Sequence, residues 1–216
     1  MKRLMYLLCL PMLLLPLCRP AWSAHQGVYV GAYYGMTVLN ESEADDDLGT
    51  FHLDFDPGQV AVFTLGYDLN PKGFLGDGRI EFEYARRSNS LDKVDFLEGD
   101  VGGKGDMQVE SLLLSTYGVY RGFRGWVPYF GAGIGAARVT ADDLRVSGQP
   151  LADDDDVVFA YQLGIGADIP LLQNLSLDLG YRFFGTTKPE FETSDGDDFK
   201  VEYFSHAALV GLRLGF

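Results

Sequence analysis

The chain has 216 residues, 47% of them hydrophobic and 22% charged, with 31 acids against 17 bases and a formal net charge of −14. Like-charge repulsion excludes nucleic acid as a partner for so acidic a chain. Its two cysteines, Cys9 and Cys18, both lie close to the N-terminus, which excludes disulfide, thiol and cysteine-metal chemistry from everything that follows them.

The first element is a leader. Lys2 and Arg3 form a positive n-region, Leu4 to Cys18 is an apolar stretch interrupted by Pro11 and Pro16, and Ala21-Trp22-Ser23-Ala24 supplies small residues for cleavage. This is the pattern of a secretory signal peptide spanning residues 1–24, cut after Ser23 or Ala24. Pro16-Leu17 before Cys18 lacks the small residues that lipoprotein processing requires, which argues against lipidation. Residues 25–216 then form one domain. No later apolar run approaches the ~20 residues of a membrane helix, so a membrane crossing has to be made by a closed barrel, the one sheet that leaves no unpaired backbone in lipid.

Eight alternating segments follow in order: Gly27 to Leu39, Gln59 to Leu69, Gly78 to Ser90, Met107 to Arg121, Trp126 to Ala141, Val157 to Leu171, Leu175 to Thr186 and Phe199 to Phe216. The first and fifth place glycines at alternate positions (Gly31 and Gly35; Gly131, Gly133 and Gly135), making room on the inner face of a narrow barrel. In the second, Ala61, Phe63, Leu65 and Tyr67 share the outer face. The third puts Ile80, Phe82 and Tyr84 outward and Arg79, Glu81 and Glu83 inward. The fourth fits least well, since Leu112-Leu113-Leu114 breaks the alternation and calls for a bulge. The sixth and seventh are regular, with Leu175, Leu177, Leu179, Tyr181 and Phe183 opposing Ser176, Asp178, Gly180 and Arg182. A greasy face opposite a charged one suits lipid outside and an enclosed polar lumen inside. The expected fold is therefore all-β, an eight-stranded antiparallel up-and-down transmembrane barrel.

The last segment ends Val210-Gly211-Leu212-Arg213-Leu214-Gly215-Phe216. It resembles the C-terminal insertion signal of bacterial outer-membrane barrels at Gly211, Leu214 and Phe216. Leu209 stands where a polar residue is usual. Trp126, Tyr129, Phe130 and Phe216 are expected in an aromatic girdle at the periplasmic interface.

Connections after the second, fourth and sixth segments are short (Asn70 to Gly73, Gly122 to Gly125, Gln173-Asn174). Those after the first, third, fifth and seventh are long and acidic. Loss of Lys2, Arg3 and Arg19 with the leader makes the charge −17, and the four long connections hold 23 acids and 5 bases, so they account for all of it. Their main expected role is solubility and repulsion. Bridging to lipopolysaccharide through divalent cations is a further expectation, although no segment has the calcium-loop spacing and Asp195-Gly196-Asp197-Asp198 only approaches it.

Inside the barrel, Asp68, Glu81, Glu83, Glu110, Asp168 and Asp178 are expected to share the lumen with Arg79, Arg182 and Arg213. Eight strands enclose just enough room for side chains, which favours a plug over a channel. Arg86, Arg138 and His206 take the outward parity near the outer interface. Arg86 and Arg138 are candidate contacts for lipopolysaccharide phosphates, and an alternative is a bulge that turns each inward.

Three stretches carry a family likeness: Pro128 to Gly135 (PYFGAGIG), Ala160 to Ala167 (AYQLGIGA) and Leu175 to Phe183 (LSLDLGYRF). They resemble the outer-membrane β-barrel domain of opacity-type surface antigens, relatives of the OmpA/OmpX-type barrels. The resemblance covers the mature chain and is strongest from Trp126 to Phe216. It implies the outer membrane of a Gram-negative bacterium, insertion by the barrel assembly machinery and contact with outer-membrane lipid. It also implies a non-enzymatic surface protein serving envelope structure, adhesion or host and environment interaction, without a cofactor.

Two other classes compete. Lipid A-modifying barrels use a Ser and a His near the outer interface, and Ser205-His206 is the candidate pair here. Neighbours on a strand point to opposite faces and cannot exchange a proton directly. His25 lies at the mature N-terminus, and His52, in the first long connection among several carboxylates, reads as a solvated loop residue rather than a base. A small diffusion pore is disfavoured by strand count. Replacing Phe216 with Asp is expected to block assembly, measured as loss of heat-modifiable, membrane-embedded protein; normal yields would refute the assignment of the terminal signal.

Overall fold

The computed structural model describes residues 27–40, 42–46, 49–69, 77–96, 99–146, 149–192 and 198–216. The leader with its cleavage site and Cys18, His25, the short turn at 70–73 and residues 195–197 lie outside them. Eight strands close the wall. They are β1 (Gly27–Leu39), β4 (Gly58–Asp68), β5 (Gly78–Phe96), β6 (Gly99–Val119), β7 (Val127–Val146), β8 (Gln149–Pro170), β9 (Leu175–Thr186) and β12 (Phe204–Gly215). All neighbours are antiparallel, and the seam is a continuous β1–β12 ladder from Tyr29↔Gly215 to Leu39↔Ser205. Closure gives every wall strand a partner on both sides, which an apolar solvent demands.

Alternation then sorts the side chains. Val30, Phe63, Phe82, Leu114, Ile134, Leu163, Leu179 and Leu212 are exposed on the outer face, a row of greasy groups that water would not tolerate on so many adjacent strands. Leu113 needs no bulge. The β5–β6 and β6–β7 registers run unbroken through it, Leu112 and Leu114 face out, and Leu113 is fully buried. An apolar inward residue broke the expected pattern because the upper lumen is itself apolar.

The long connections are where the structure departs most from expectation. β5 to β8 run for 19, 21, 20 and 22 residues, roughly twice the ~9–11 of a membrane strand. They continue past the greasy band as two tall hairpins. Between β1 and β4 stand β2 (Ser42–Asp46) and β3 (Gly49–Phe55), and between β9 and β12 stand β10 (Glu190–Glu192) and β11 (Asp198–Val201). The order β10-β11-β2-β3-β5 extends the wall upward into a crown. His52 sits in β3, paired through its backbone with Glu43 and Asp95. Where β10 meets β8, the Glu190 N–H donates to the Asp156 carboxylate at 3.1 Å, and the Thr187 N–H donates to the Phe159 carbonyl at 2.9 Å.

Bulges at the base of the crown explain why it reads as loop. The β7–β8 register shifts between Ala141 and Leu144, and the β6–β7 register shifts between Lys104 and Asp106. Asp143 has φ 49° and Gly105 φ 116°, both in the left-handed region that Gly and, less readily, Asp can occupy. One extra residue inverts the parity. Leu144 is therefore wholly buried although it is out of phase with Val139 and Ala141. It joins Met107, Phe191, Val201 and Tyr203 in a single apolar cluster that fills the upper barrel and the crown.

Candidate functional site

The lower lumen is built around Arg79 on β5, a wholly buried guanidinium. Its Nε lies 2.8 Å from Glu81 Oε1, its Nη1 donates to Asp168 Oδ2 at 2.8 Å, and its Nη2 stands 3.7 Å from Asp178 Oδ2. The ring of Tyr129 lies beneath it at 3.9 Å from Cζ, and that of Tyr117 at 5.0 Å. Arg213 on β12 bridges Asp168 at 3.0 Å and Asp68 at 3.3 Å. At the base, Arg121 joins Asp68 to Asp77. Tyr29 donates to Glu81 and Tyr129 to Asp178, each at 2.6 Å. Each carboxylate here thus meets a guanidinium or phenol, as buried charge requires.

Glycines make this density attainable. A Cβ at Gly66 would stand 2.2 Å from the Tyr29 ring, and one at Gly166 would stand 2.3 Å from the Tyr129 hydroxyl. The bare inner face of one strand thus receives the tyrosine of the next. Higher up, Arg87 donates to Ser111 at 2.9 Å and to Gln162 at 3.3 Å, with its Cζ 3.9 Å from the Phe184 ring. Gln162 in turn donates to Glu83 at 3.0 Å. Arg87 marks the passage from ionic lumen to apolar cluster.

The expected lumen charges are largely in place. Asp68, Arg79, Glu81, Glu83, Asp168, Asp178 and Arg182 are buried and inward, and Arg213 packs over Tyr29 at 4.7 Å. Glu110 is a correction. It shares parity with Leu112 and Leu114, faces out, and accepts the Tyr84 hydroxyl at 2.9 Å. Tyr129 is another. It is not a girdle residue but a buried lumen residue, because outward parity on β7 belongs to Phe130. Phe130 is exposed, as are Trp126 and Phe123, whose rings stack at 4.9 Å. Arg87 and the inward tyrosines were missed, yet simple parity from Arg79 and Tyr29 places Arg87 and Tyr33 inside.

On β12, Leu214 and Phe216 point outward and Gly211 inward, where a Cβ would meet the Tyr33 ring at 2.3 Å. Leu209, in the place where a polar residue is usual, is buried in the lumen beside Tyr33 and Val62. Ser205 is fully buried on the inner face. His206 lies on the outer one, hydrogen-bonded through Nδ1 to the Tyr181 hydroxyl.

A belt of cross-strand polar pairs rims the greasy band at this level. Tyr34 bonds Gln59, Tyr84 bonds Glu110, and Arg86 Nη2 donates to Gln108 Oε1 at 2.8 Å. Arg138 grips both Asp155 oxygens at 2.7 and 2.8 Å and holds that carboxyl below its usual range. Neither arginine is turned inward by a bulge; both are exposed. Among the described residues, no group of three or more His, Cys, Asp or Glu side chains is arranged to hold a metal ion.

A closed eight-stranded wall, greasy outside and ionic within, defines an outer-membrane β-barrel. The family model described as outer membrane protein beta-barrel domain matches residues 7–215, so the chain belongs to that family and resides in the Gram-negative outer membrane. Among solved structures it is similar to Neisserial surface protein A, at 19% identity and a TM-score of 0.56 over 88% of this chain and 98% of that one. It is likewise similar to the outer membrane protein OprG from Pseudomonas aeruginosa (16% identity, TM-score 0.56, 89% and 98% covered). A third similar fold is the outer membrane protease OmpT from Escherichia coli (9% identity, TM-score 0.52, 89% and 98% covered). No curated protein sequence matches the chain.

Arg79 is the keystone of the lumen. Arg79→Met should cost about 3–5 kcal/mol, because three buried carboxylates lose their shared cation. Urea unfolding from liposomes at pH 8 checks this. A loss under about 1 kcal/mol at pH 8 would contradict the assignment.

Proposed function

We propose that this barrel is a sealed, non-enzymatic surface protein that holds an acidic β-crown rigidly above the outer membrane. The observation that carries this reading is the filled interior: an ionic lower lumen centred on Arg79 capped by a continuous apolar cluster from Leu113 to Phe191. A solute path would have to displace both. Among the crown's carboxylates Asp142, Asp143, Asp155 and Glu190 are exposed, while Leu144 and Phe191 tie its strands together from within. Such a surface repels anionic neighbours, and it presents backbone-fixed carboxylates to a cationic partner or to divalent ions that bridge to lipopolysaccharide.

Catalysis finds little support in the one Ser–His pair. Ser205 and His206 occupy opposite faces of β12, the serine is buried, and the imidazole Nδ1 is hydrogen-bonded to the Tyr181 hydroxyl. The protease among the similar folds is too distant in sequence to carry an activity to this chain.

Purified protein in planar bilayers should show no steady conductance, and its overexpression should leave lipid A acylation unchanged by mass spectrometry. Stable ion-selective openings would turn the assignment to a pore. Loss or gain of acyl chains would turn it to a lipid A-modifying enzyme.

A further inference from the structure

The outer face of the barrel is not uniformly convex. Where β4, β1 and β12 meet, the small side chains of Ala32 and Ala61 lie between Tyr34, Phe63, Val210 and Leu212, leaving an apolar groove of about 440 Å³. That lies in the ~300–1,000 Å³ range of sites that hold an organic ligand. Everything that reaches this face is an acyl chain or another protein.

The groove has a charged neighbour. Ala61 on β4 is the direct cross-strand partner of Arg86 on β5, and side chains at such positions stand side by side. Arg86 is eight residues above Gly78 at the base of β5, or about 20 Å once strand tilt is allowed for, close to the upper edge of a ~25 Å apolar band. Among the described residues no carboxylate forms an ion pair with it: Glu110, its direct cross-strand partner on β6, accepts the Tyr84 hydroxyl, and Arg86 donates to the amide oxygen of Gln108. Arg138, the rim arginine on β7, is by contrast committed to Asp155. An exposed guanidinium with donors to spare at the interface, beside a greasy trough descending from it, fits an amphiphile with an anionic head.

We propose that this seam is a lipid site, in which the lipid A portion of lipopolysaccharide sets a phosphate on Arg86 and lays one acyl chain across Ala61 and Ala32 toward Leu177. The head supplies the oxygen acceptors that a guanidinium fork binds most strongly. The chain fills a dent that would otherwise forfeit its dispersion contacts. The site requires only the outer-membrane placement, so a barrel that proved to conduct would leave it intact.

Native mass spectrometry of the full mature barrel released from detergent tests the site. The probes are bis-phosphorylated lipid A, its dephosphorylated form and inorganic phosphate. Wild type should retain the phosphorylated lipid over the dephosphorylated one by about tenfold, the worth of a charge-assisted contact. Arg86→Gln should abolish that preference, Ala32→Phe should weaken retention of both lipids, and Arg138→Gln should change neither. A heat-dependent gel shift establishes that each variant is folded, and Ala61→Leu serves should Ala32→Phe fail. Retained discrimination in Arg86→Gln, wild-type binding in the folded groove-filling variant, or displacement of lipid A by inorganic phosphate would each overturn the site.

Discussion

Backbone hydrogen bonding in hydrocarbon governs this molecule. An unpaired N–H or C=O facing lipid costs several kcal/mol with no water to relieve it, so the sheet has to close. The β1–β12 ladder makes that closure, pairing the first barrel strand with the last over eleven residue pairs. Once the cylinder is shut, period-two alternation leaves only two environments for a side chain in the membrane. Outward positions meet acyl chains, and inward positions meet one another in a space eight strands wide.

Confinement then shapes the interior. Charged groups taken from water must find partners among themselves. Here they do so through Arg79, which faces three carboxylates and two aromatic rings. The tyrosines supply both hydroxyl donors and ring faces for the guanidinium groups, and inner-face glycines give their rings space. The lower lumen thus behaves as a polar core with an ionic centre, while the upper lumen is an ordinary hydrophobic core continuous with the crown. Sealing, stability and the rigidity of the surface structure come from the same packed axis.

Much of this was legible in the residues. Regular strands such as β9 and β4 declared both faces, and their boundaries differ little from the structure. The greasy outer face, the eight-strand count and the inward placement of Arg79, Glu81, Asp168 and Arg182 followed from parity alone. What escaped was the crown. Its strands carry acids on a solvated face and apolar residues within, but bulges at Asp143 and Gly105 shift the phase. A reader counting by twos loses Leu144 there and sees only an acidic loop. Glu110 was placed in the lumen, whereas it shares the outward parity of Leu112 and Leu114 and the Tyr84 hydroxyl satisfies its carboxylate there. Tyr129 was misassigned by its closeness to a turn, when its parity with Gly131 and Gly133 pointed inward.

Everything in this molecule follows from which side of the wall touches lipid. Nuclear magnetic resonance of the barrel in lipid nanodiscs can read this directly, through magnetisation transfer from acyl-chain methylene protons to side-chain methyl and ring protons. Strong transfer is expected at Phe82, Leu114, Ile134 and Leu163, with none at the inward-facing Leu113, Val139 and Val62. Comparable transfer at Leu113 and Leu114, or water cross-peaks replacing lipid ones at Ile134 and Leu163, would contradict the inside-out assignment on which the sealed lumen and the raised crown both depend.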